Sequence, residues 1–204
     1  MPEITDITPQ KKDKTRCNIF CDGRFYCGMK LDTVMAGGLR VGMQVTEGEL
    51  SRLQLESEKM TALEKAIGHI ALSMKTEKEL RAYLKKKGYL EAVSDYVIER
   101  MRYYGYLDDT QYASSYAAHA GKRKGGRLIA AELRRKGVAE EAIEEAVSSL
   151  GDETESAKAV LEKYLRGKDA SDKKTVQKAY SHLLSKGFDY DTARAALEGL
   201  LSED

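Results

Sequence analysis

A unit of about fifty residues recurs three times along this chain, and repetition at such a period is typical of a repeat architecture. Each copy contains a Lys-Gly-apolar tripeptide, and the glycines of the three tripeptides are 49 and 50 residues apart. The tripeptides are Lys87–Tyr89, Lys136–Val138 and Lys186–Phe188. A leucine stands four residues before each glycine, with further apolar residues in phase on both sides. The chain is therefore predicted to fold as three similar units.

Each copy has the pattern of a helix, a glycine and a second helix. In the first copy Leu80 and Leu84 lie on one helix face, and Gly88 can take the left-handed conformation that often ends a helix. A further helix connects one copy to the next. We predict a mainly α fold of three tandem three-helix repeats in an elongated, curved array, because such units contact mainly their neighbours. The predicted repeats are residues 58–107, 108–151 and 152–204.

Residues 1–55 are predicted to be a small β-rich extension that contains a hairpin. Asp22-Gly23 is a typical two-residue type I′ turn, and aromatic and β-branched residues flank it. Opposed pairs of such residues stabilise a two-stranded ribbon. The expected cross-strand pairs are Phe20 with Phe25 and Ile19 with Tyr26.

The rest of this extension contains three further predicted segments. Ile4 and Ile7 indicate an earlier strand, and residues 31–36 have the pattern of one short helix. Apolar residues alternate over 39–45, which predicts a strand. Residues 46–57, rich in Glu and Ser, are predicted to be the junction to the helical part.

Composition excludes several classes of protein. The 204 residues carry 34 Lys and Arg against 33 Asp and Glu, so nucleic acid cannot be bound through overall charge and would need a local patch. No apolar run approaches the ~20 residues of a membrane helix, and the N-terminus lacks the apolar core of a secretory signal. We therefore expect a cytoplasmic protein without membrane contact, and nothing in the charged surface predicts more than a monomer.

The three cysteines, Cys17, Cys21 and Cys27, stand close together near the N-terminus. An odd number in one short segment does not make a disulfide framework. A structural zinc site needs four ligands, and no histidine is near enough in sequence to be the fourth. We expect buried or half-buried thiols and no metal.

The densest basic run lies in the second repeat, where seven cations are interrupted by a single acidic residue, Glu132. A solvated surface would also use such residues, and cations stabilise a helix C-terminus. Their number in an otherwise neutral chain predicts a contact face for an anionic partner. A second run ends the first helix of the first repeat. The predicted partner-binding residues are Lys122, Arg123, Lys124, Arg127, Arg134, Arg135 and Lys136, with Lys85, Lys86 and Lys87 in the second run.

Two nucleotide- or DNA-binding motifs are not supported. Residues 121–127 are rich in glycine, but Gly126 is followed by Arg127 and not by the Lys-Ser/Thr of a phosphate-binding loop. The helix–glycine–helix pattern is similar to a DNA-reading helix–turn–helix, in which the second helix enters the major groove. Here the second helices carry several glutamates that would face phosphate, Glu140 and Glu144 among them. That docking mode is disfavoured.

Tyrosines and histidines do not form a recognisable active site. Eight of the twelve tyrosines lie between Tyr83 and Tyr116, and although exposed rings can stack on bases, their spacing favours core packing. Residues 103–107 are predicted to be a packed connector. One of Asp108 and Asp109 is predicted to be a helix N-cap. Because the sequence shows no recognisable nucleophile–base pair, we predict that the protein has no catalytic site and no cofactor and is not an enzyme.

Three segments of the chain resemble the RecX family of bacterial recombination regulators: residues 79–89, 106–109 and 126–138, within a match over roughly 58–200. The resemblance implies a non-enzymatic regulator of RecA. Members bind the RecA filament on single-stranded DNA in its helical groove. They mostly inhibit filament growth, ATP hydrolysis, strand exchange and coprotease activity, and the family has no cofactor.

Two other functions remain open on the sequence. A helical-repeat protein could bind nucleic acid directly. Weak DNA contact is also compatible with a RecX-like regulator. A helical scaffold with an unrelated partner is the third option.

Overall fold

The structure is a computed structural model, and it describes residues 1–202. The chain forms two compact units, one of residues 1–74 and 80–106 and one of residues 75–79 and 107 onward. The elements, in chain order, are β1 (Ile4–Pro9), β2 (Arg16–Cys21), β3 (Arg24–Lys30), α1 (Leu31–Ala36), α2 (Glu47–Ala71), α3 (Glu77–Lys86), α4 (Glu91–Tyr103), α5 (Asp109–Ala120), α6 (Gly126–Lys136), α7 (Glu140–Ser148), α8 (Thr154–Leu165), α9 (Lys173–Ser185) and α10 (Tyr190–Ser202).

The three strands form one antiparallel sheet in the order β1-β2-β3. Asp22 and Gly23 both have positive φ, as a type I′ turn requires, so the predicted hairpin is confirmed. Phe20 lies opposite Phe25 as expected, with ring centroids 5.8 Å apart. The second predicted pair is wrong, because an irregularity beside Ile19 places it opposite Cys27. Such a bulge puts one extra residue into a strand, and it cannot be seen in the alternation pattern.

The segment between α1 and α2 is not a strand. Residues 37–45 run as a loop, and Glu3 and Gln44 form an isolated β-bridge. Gly38 and Gly42 have positive φ and break the extended conformation that the alternation predicted. The loop is nevertheless bound to the start of the chain, since the Gly42 amide donates to the Ile4 carbonyl at 2.8 Å.

The predicted junction at residues 46–57 is helical instead. Thr46 and Glu49 form a capping box: the Thr46 hydroxyl accepts from the Glu49 amide at 3.2 Å, and the Glu49 carboxylate accepts from the Thr46 amide at 2.8 Å. Helix α2 therefore begins eleven residues before the predicted helical start at Glu58. Its first half packs on the sheet, where Leu50 is fully buried, and its later part packs on α4.

The three-helix repeats are confirmed. The first consists of the later part of α2 with α3 and α4, the second of α5 to α7, and the third of α8 to α10. Gly88, Gly137 and Gly187 all have φ between +84° and +91°, as predicted for glycines that end a helix. Leu133 and Phe188 are fully buried in the cores of the second and third repeats.

The second and third repeats belong to the same unit and meet through their backbones. The Gly125 amide donates to the Lys186 carbonyl at 3.0 Å, and the Arg127 amide donates to the Gly187 carbonyl at 3.2 Å. A Cβ on Gly125 would lie 2.3 Å from the Phe188 nitrogen. Glycine is therefore required for so close a contact.

Three smaller predictions have mixed outcomes. Cys17, Cys21 and Cys27 are buried free thiols, as expected. Asp108 caps α5 by accepting from the Gln111 amide at 2.9 Å, which confirms the predicted N-cap. The packed tyrosine connector is wrong, because the side chains that would fill it are exposed by 52% or more: Tyr103, Tyr104 and Tyr106. Among the described residues, no helix is long and apolar enough to cross a membrane.

Candidate partner-binding surface

Helix α6 carries four of the ten predicted binding residues, and it is held at both ends. At its start the Gly126 amide donates to a carboxylate oxygen of Glu153 at 2.8 Å. Burial raises the pKa of Glu153, although this hydrogen bond opposes the rise. At its end Gly137 takes the left-handed conformation with φ +85°. The side chains on α6 are therefore presented from a fixed backbone.

The solvent side of α6 is a narrow cationic stripe. Its members follow one another at helical positions i, i+4, i+7 and i+8, and all are exposed. They are Arg127, Ala131, Arg134 and Arg135, and we call this stripe the α6 face. Between its first and last residues the helix rises about 12 Å. Ile129 and Leu133 point the other way and are fully buried.

Arg134 is the one arginine of the α6 face that has an ion-pair partner within residues 1–202. Its guanidinium makes a two-bond contact with the Glu140 carboxylate of α7, one of the bonds being 2.8 Å long. This hydrogen bonding raises the pKa of Arg134 and lowers that of Glu140. Both side chains are about half exposed. Exposed ion pairs contribute little to stability, so this pair adds little to the free energy of folding.

The turn before α6 presents two free cations and one fixed lysine. Lys122 and Arg123 are exposed, and neither forms an ion pair with the described part of the chain. Lys124 is half-buried, with its ammonium 2.6 and 2.7 Å from the two carboxylate oxygens of Glu132. Tyr116 donates to the same carboxylate at 2.5 Å. The hydrogen bond with Glu132 raises the pKa of Lys124. Lys124 therefore holds the turn in place.

Lys136, at the last position of α6, is also engaged within its unit. Its ammonium lies 2.6 Å from a Glu79 carboxylate oxygen, and its carbonyl accepts from the Thr76 hydroxyl at 2.8 Å. Burial lowers the pKa of Lys136, but hydrogen bonds with Glu79 and Tyr112 outweigh burial and leave it raised. The neighbouring Arg135 accepts from the Lys78 ammonium through its carbonyl at 2.9 Å and keeps its side chain exposed.

Lys85, Lys86 and Lys87 follow one another at the end of α3, in the other unit. All three are exposed, and the ammonium of Lys87 lies 5.6 Å from the ring centroid of Tyr83. They form a separate basic run that complements the C-terminal dipole of α3.

The arrangement is suited to binding anionic groups. Among the described residues, no cluster of three or more His, Cys, Asp or Glu side chains could hold a metal ion. The sequence prediction omitted a basic cleft on the third repeat that includes Lys174 and Lys178. Their spacing of four residues was the signal that could have found it.

Four family models match the chain in order: the RecX N-terminal domain at residues 2–46 and the first, second and third RecX three-helix domains at 62–101, 108–147 and 151–197. The regulatory protein RecX of Bacillus licheniformis is 34% identical over 97% of this chain and 77% of its own length. The chain belongs to the RecX family. The RecX of Bacillus subtilis is 32% identical over 100% of this chain and 79% of its own length. The RecX of one Clostridium botulinum strain is 32% identical over 94% of this chain and 92% of its own length.

Solved RecX structures have the same fold. The crystal structure of a regulatory protein RecX superposes with a TM-score of 0.70 at 24% identity, over 95% of this chain and 98% of the other. The crystal structure of RecX from Lactobacillus salivarius has a TM-score of 0.64 at 22% identity, over 70% of this chain and 96% of the other. The relatives are named regulatory proteins, so this RecX-family chain has a regulatory role.

Proposed function

We propose that this chain is a non-enzymatic regulator of the RecA recombinase. It binds RecA filaments on single-stranded DNA in the helical groove and mostly inhibits their growth, ATPase, strand exchange and coprotease activity. RecA filaments form on chromosomal DNA, so the protein acts in the cytoplasm, and we propose that it acts as a monomer. Membership of the RecX family supports the regulatory part, and the α6 face supports a protein or phosphate partner.

The α6 face is the observation on which the proposal rests. A guanidinium pairs with carboxylate or phosphate through two parallel hydrogen bonds. Arg127, Arg134 and Arg135 present three such groups along one helix, and the small side chain of Ala131 between them allows close approach. Lys122 and Arg123 extend the same charge into the preceding turn.

The predicted binding residues contribute in different ways under this proposal. The exposed cations of the α6 face and the turn contact the partner directly. Lys124 and Lys136 support them through their bonds to Glu132 and Glu79. The run at Lys85–Lys87 makes a second contact, and several modest contacts on one chain add up through effective concentration.

A titration of RecA's DNA-dependent ATPase tests the proposal. The wild-type chain should inhibit it. Arg127→Glu/Arg135→Glu should raise the half-inhibitory concentration roughly tenfold or more, since loss of about 1.4 kcal/mol is a factor of ten. Circular dichroism should show unchanged helical content, because both side chains are exposed.

The matched control is Lys11→Glu/Lys163→Glu, which changes net charge equally at two exposed lysines outside the proposed surface. It should inhibit like the wild type. Full inhibition by the arginine variant would show that the α6 face does not bind the partner. No inhibition by the wild type contradicts the proposed RecA regulation itself.

Direct action on DNA is the competing function. A protein that neutralises phosphates loses affinity steeply with salt, with a slope of about −0.7 per contact on single strands. Tight, steeply salt-dependent DNA binding combined with no effect on RecA would favour it.

A further inference from the structure

The third repeat carries an open cleft of about 490 Å³ on the surface formed by α8 and α9. One wall residue comes from α8 and the others from α9, where they recur at spacings of three and four and so lie on one helix face. The lining residues are Tyr164, Lys174, Gln177, Lys178, Ser181, His182 and Ser185. None of these described lining residues is acidic. We call this feature the third-repeat cleft.

Two of the lining residues, Tyr164 and His182, form a pair of stacked rings. The rings of Tyr164 and His182 have centroids 4.3 Å apart and are tilted by 19°. The ammonium of Lys168 lies 3.2 Å from the Tyr164 centroid. Burial lowers the pKa of His182, and the positive charges of Lys186 and Lys168 lower it further. Lys186 and Lys168 therefore add positive charge beside the cleft, which favours an anion there.

We propose that the third-repeat cleft binds the phosphate backbone of single-stranded nucleic acid. The ammonium groups of Lys174 and Lys178 contact successive phosphates, and the Gln177 side-chain amide donates to a phosphate oxygen. The Ser181 hydroxyl, which donates to the Gln177 carbonyl at 3.0 Å, lies beside them. Lysine and glutamine are regular phosphate contacts in nucleic-acid complexes. This binding needs no RecA, so it goes beyond the regulation proposed above and adds a contact to the DNA inside a filament.

The form of the cleft favours a linear polyanion over an acidic protein surface. From Lys174 to Ser185 helix α9 rises about 16 Å, which is long enough for several successive phosphates. The cations in the lining are lysines, which act as point charges, whereas paired carboxylates are best matched by the planar fork of arginine. The ring pair of Tyr164 and His182 offers an aromatic surface beside the charged groove, as in proteins that bind single strands without sequence preference.

Fluorescence anisotropy with a labelled oligo(dT) of about 15 nucleotides, without RecA, tests the proposal. Lys174→Gln/Lys178→Gln should weaken binding by roughly ten- to thirtyfold at about 0.1 M salt and flatten the salt slope by about 1.4. Ser181→Glu, which places a carboxylate in the middle of the exposed stripe, should weaken it as well. Lys11→Gln/Lys163→Gln changes net charge equally and should bind like the wild type.

Competition identifies the ligand. Unlabelled oligo(dT) should displace the probe, whereas inorganic phosphate or polyglutamate at equal charge concentration should displace it far less. Displacement by inorganic phosphate at equal charge would mean that the cleft takes a free phosphate, and displacement by polyglutamate would mean that it takes an acidic protein surface. Either result overturns the proposal. The proposal is also overturned if the wild type does not bind oligo(dT), or if Lys11→Gln/Lys163→Gln loses as much oligo(dT) affinity as Lys174→Gln/Lys178→Gln. RecA inhibition is measured separately, so failure here leaves the α6 proposal standing.

Discussion

The ammonium of Lys136 lies 2.6 Å from a carboxylate oxygen of Glu79 and joins the last residue of α6 to the first turn of α3. Both side chains are about a quarter to a third exposed. The pair therefore contributes to stability with only partial screening by water. Because 57 residues separate the partners, it connects segments that are distant in sequence.

We expect this pair to show measurable coupling. In a double-mutant cycle with Glu79→Gln and Lys136→Met, urea unfolding should give a coupling free energy of about 0.5–1 kcal/mol. Each single variant should lose more than half of the unfolding free energy that the double variant loses, because each single change leaves one partner without its counter-charge. Additive effects of the two changes would show that the pair contributes nothing.

The same pair predicts a pH dependence with a definite sign. Burial raises the pKa of Glu79, but its bonds with Lys136 and Thr76 outweigh burial, and the folded-state pKa lies below the ordinary value. The stabilisation is therefore present above the ordinary glutamate pKa of about 4.3 and is lost as pH falls through the folded-state value. Glu79→Gln should lose this part of the acid sensitivity, as measured by urea unfolding at a series of pH values.

The three glycines that follow the middle helix of each repeat, Gly88, Gly137 and Gly187, should differ in their tolerance of alanine. All have positive φ, which costs an L-residue about 1 kcal/mol. At Gly88 a Cβ meets nothing within 4 Å, so only that backbone cost applies. At Gly137 it would lie 2.7 Å from the flexible Lys78 side chain, and at Gly187 it would lie 2.4 Å from the Leu128 backbone nitrogen.

Alanine substitution should therefore destabilise in the order Gly88, Gly137, Gly187, with Gly187→Ala costing clearly more than the other two. The free energies of unfolding from denaturant melts give the order directly. Equal values for Gly88→Ala and Gly187→Ala would mean that the backbone contact between the second and third repeats relaxes without cost.

The repeat frame was predictable because it depends on local spacing. Glycines at a fixed period and leucines four residues earlier follow from how a helix ends and which face it buries. The early start of α2 is also predictable from the sequence, since Thr46 and Glu49 have capping-box spacing, although the Glu- and Ser-rich composition of this segment favours a junction. The bulge beside Ile19 could not be predicted from the sequence, because it depends on how the sheet packs over its core.

The candidate surface was predictable in part for the same reason. The charges of the α6 face are set by the sequence of one helix. Which cations are engaged within the chain was not predictable, because Lys136 meets its partner only after the repeats fold. Likewise, the third-repeat cleft depends on Tyr164 of one helix reaching His182 of the next. The exposure of Tyr103 shows that an aromatic residue between helices need not be part of the core.

The cysteines should be unreactive in the folded protein. Burial raises the pKa of Cys27 to about 11 and also raises that of Cys21. At pH 8 the thiolate fraction of Cys27 is then about 0.001, against roughly a quarter for an ordinary thiol. Iodoacetamide should label the native protein slowly and label all three cysteines in denaturant, as counted by mass spectrometry. Rapid labelling of native Cys27 would contradict its burial.

His182 should make the third repeat less stable in mild acid. Its pKa is lowered by burial, and then by the charges of Lys186 and Lys168, so the unfolded chain binds the proton more readily than the folded one. Stability should therefore fall as pH drops below the ordinary histidine value of about 6.5, and level off below the folded-state pKa. His182→Gln should remove this part of the pH dependence in denaturant melts. Lys186→Gln should move the pKa of His182 upward in an NMR titration, whereas the exposed control Lys163→Gln should leave it in place. An unchanged His182 titration in Lys186→Gln would mean that Lys186 does not contribute to the lowered pKa of His182.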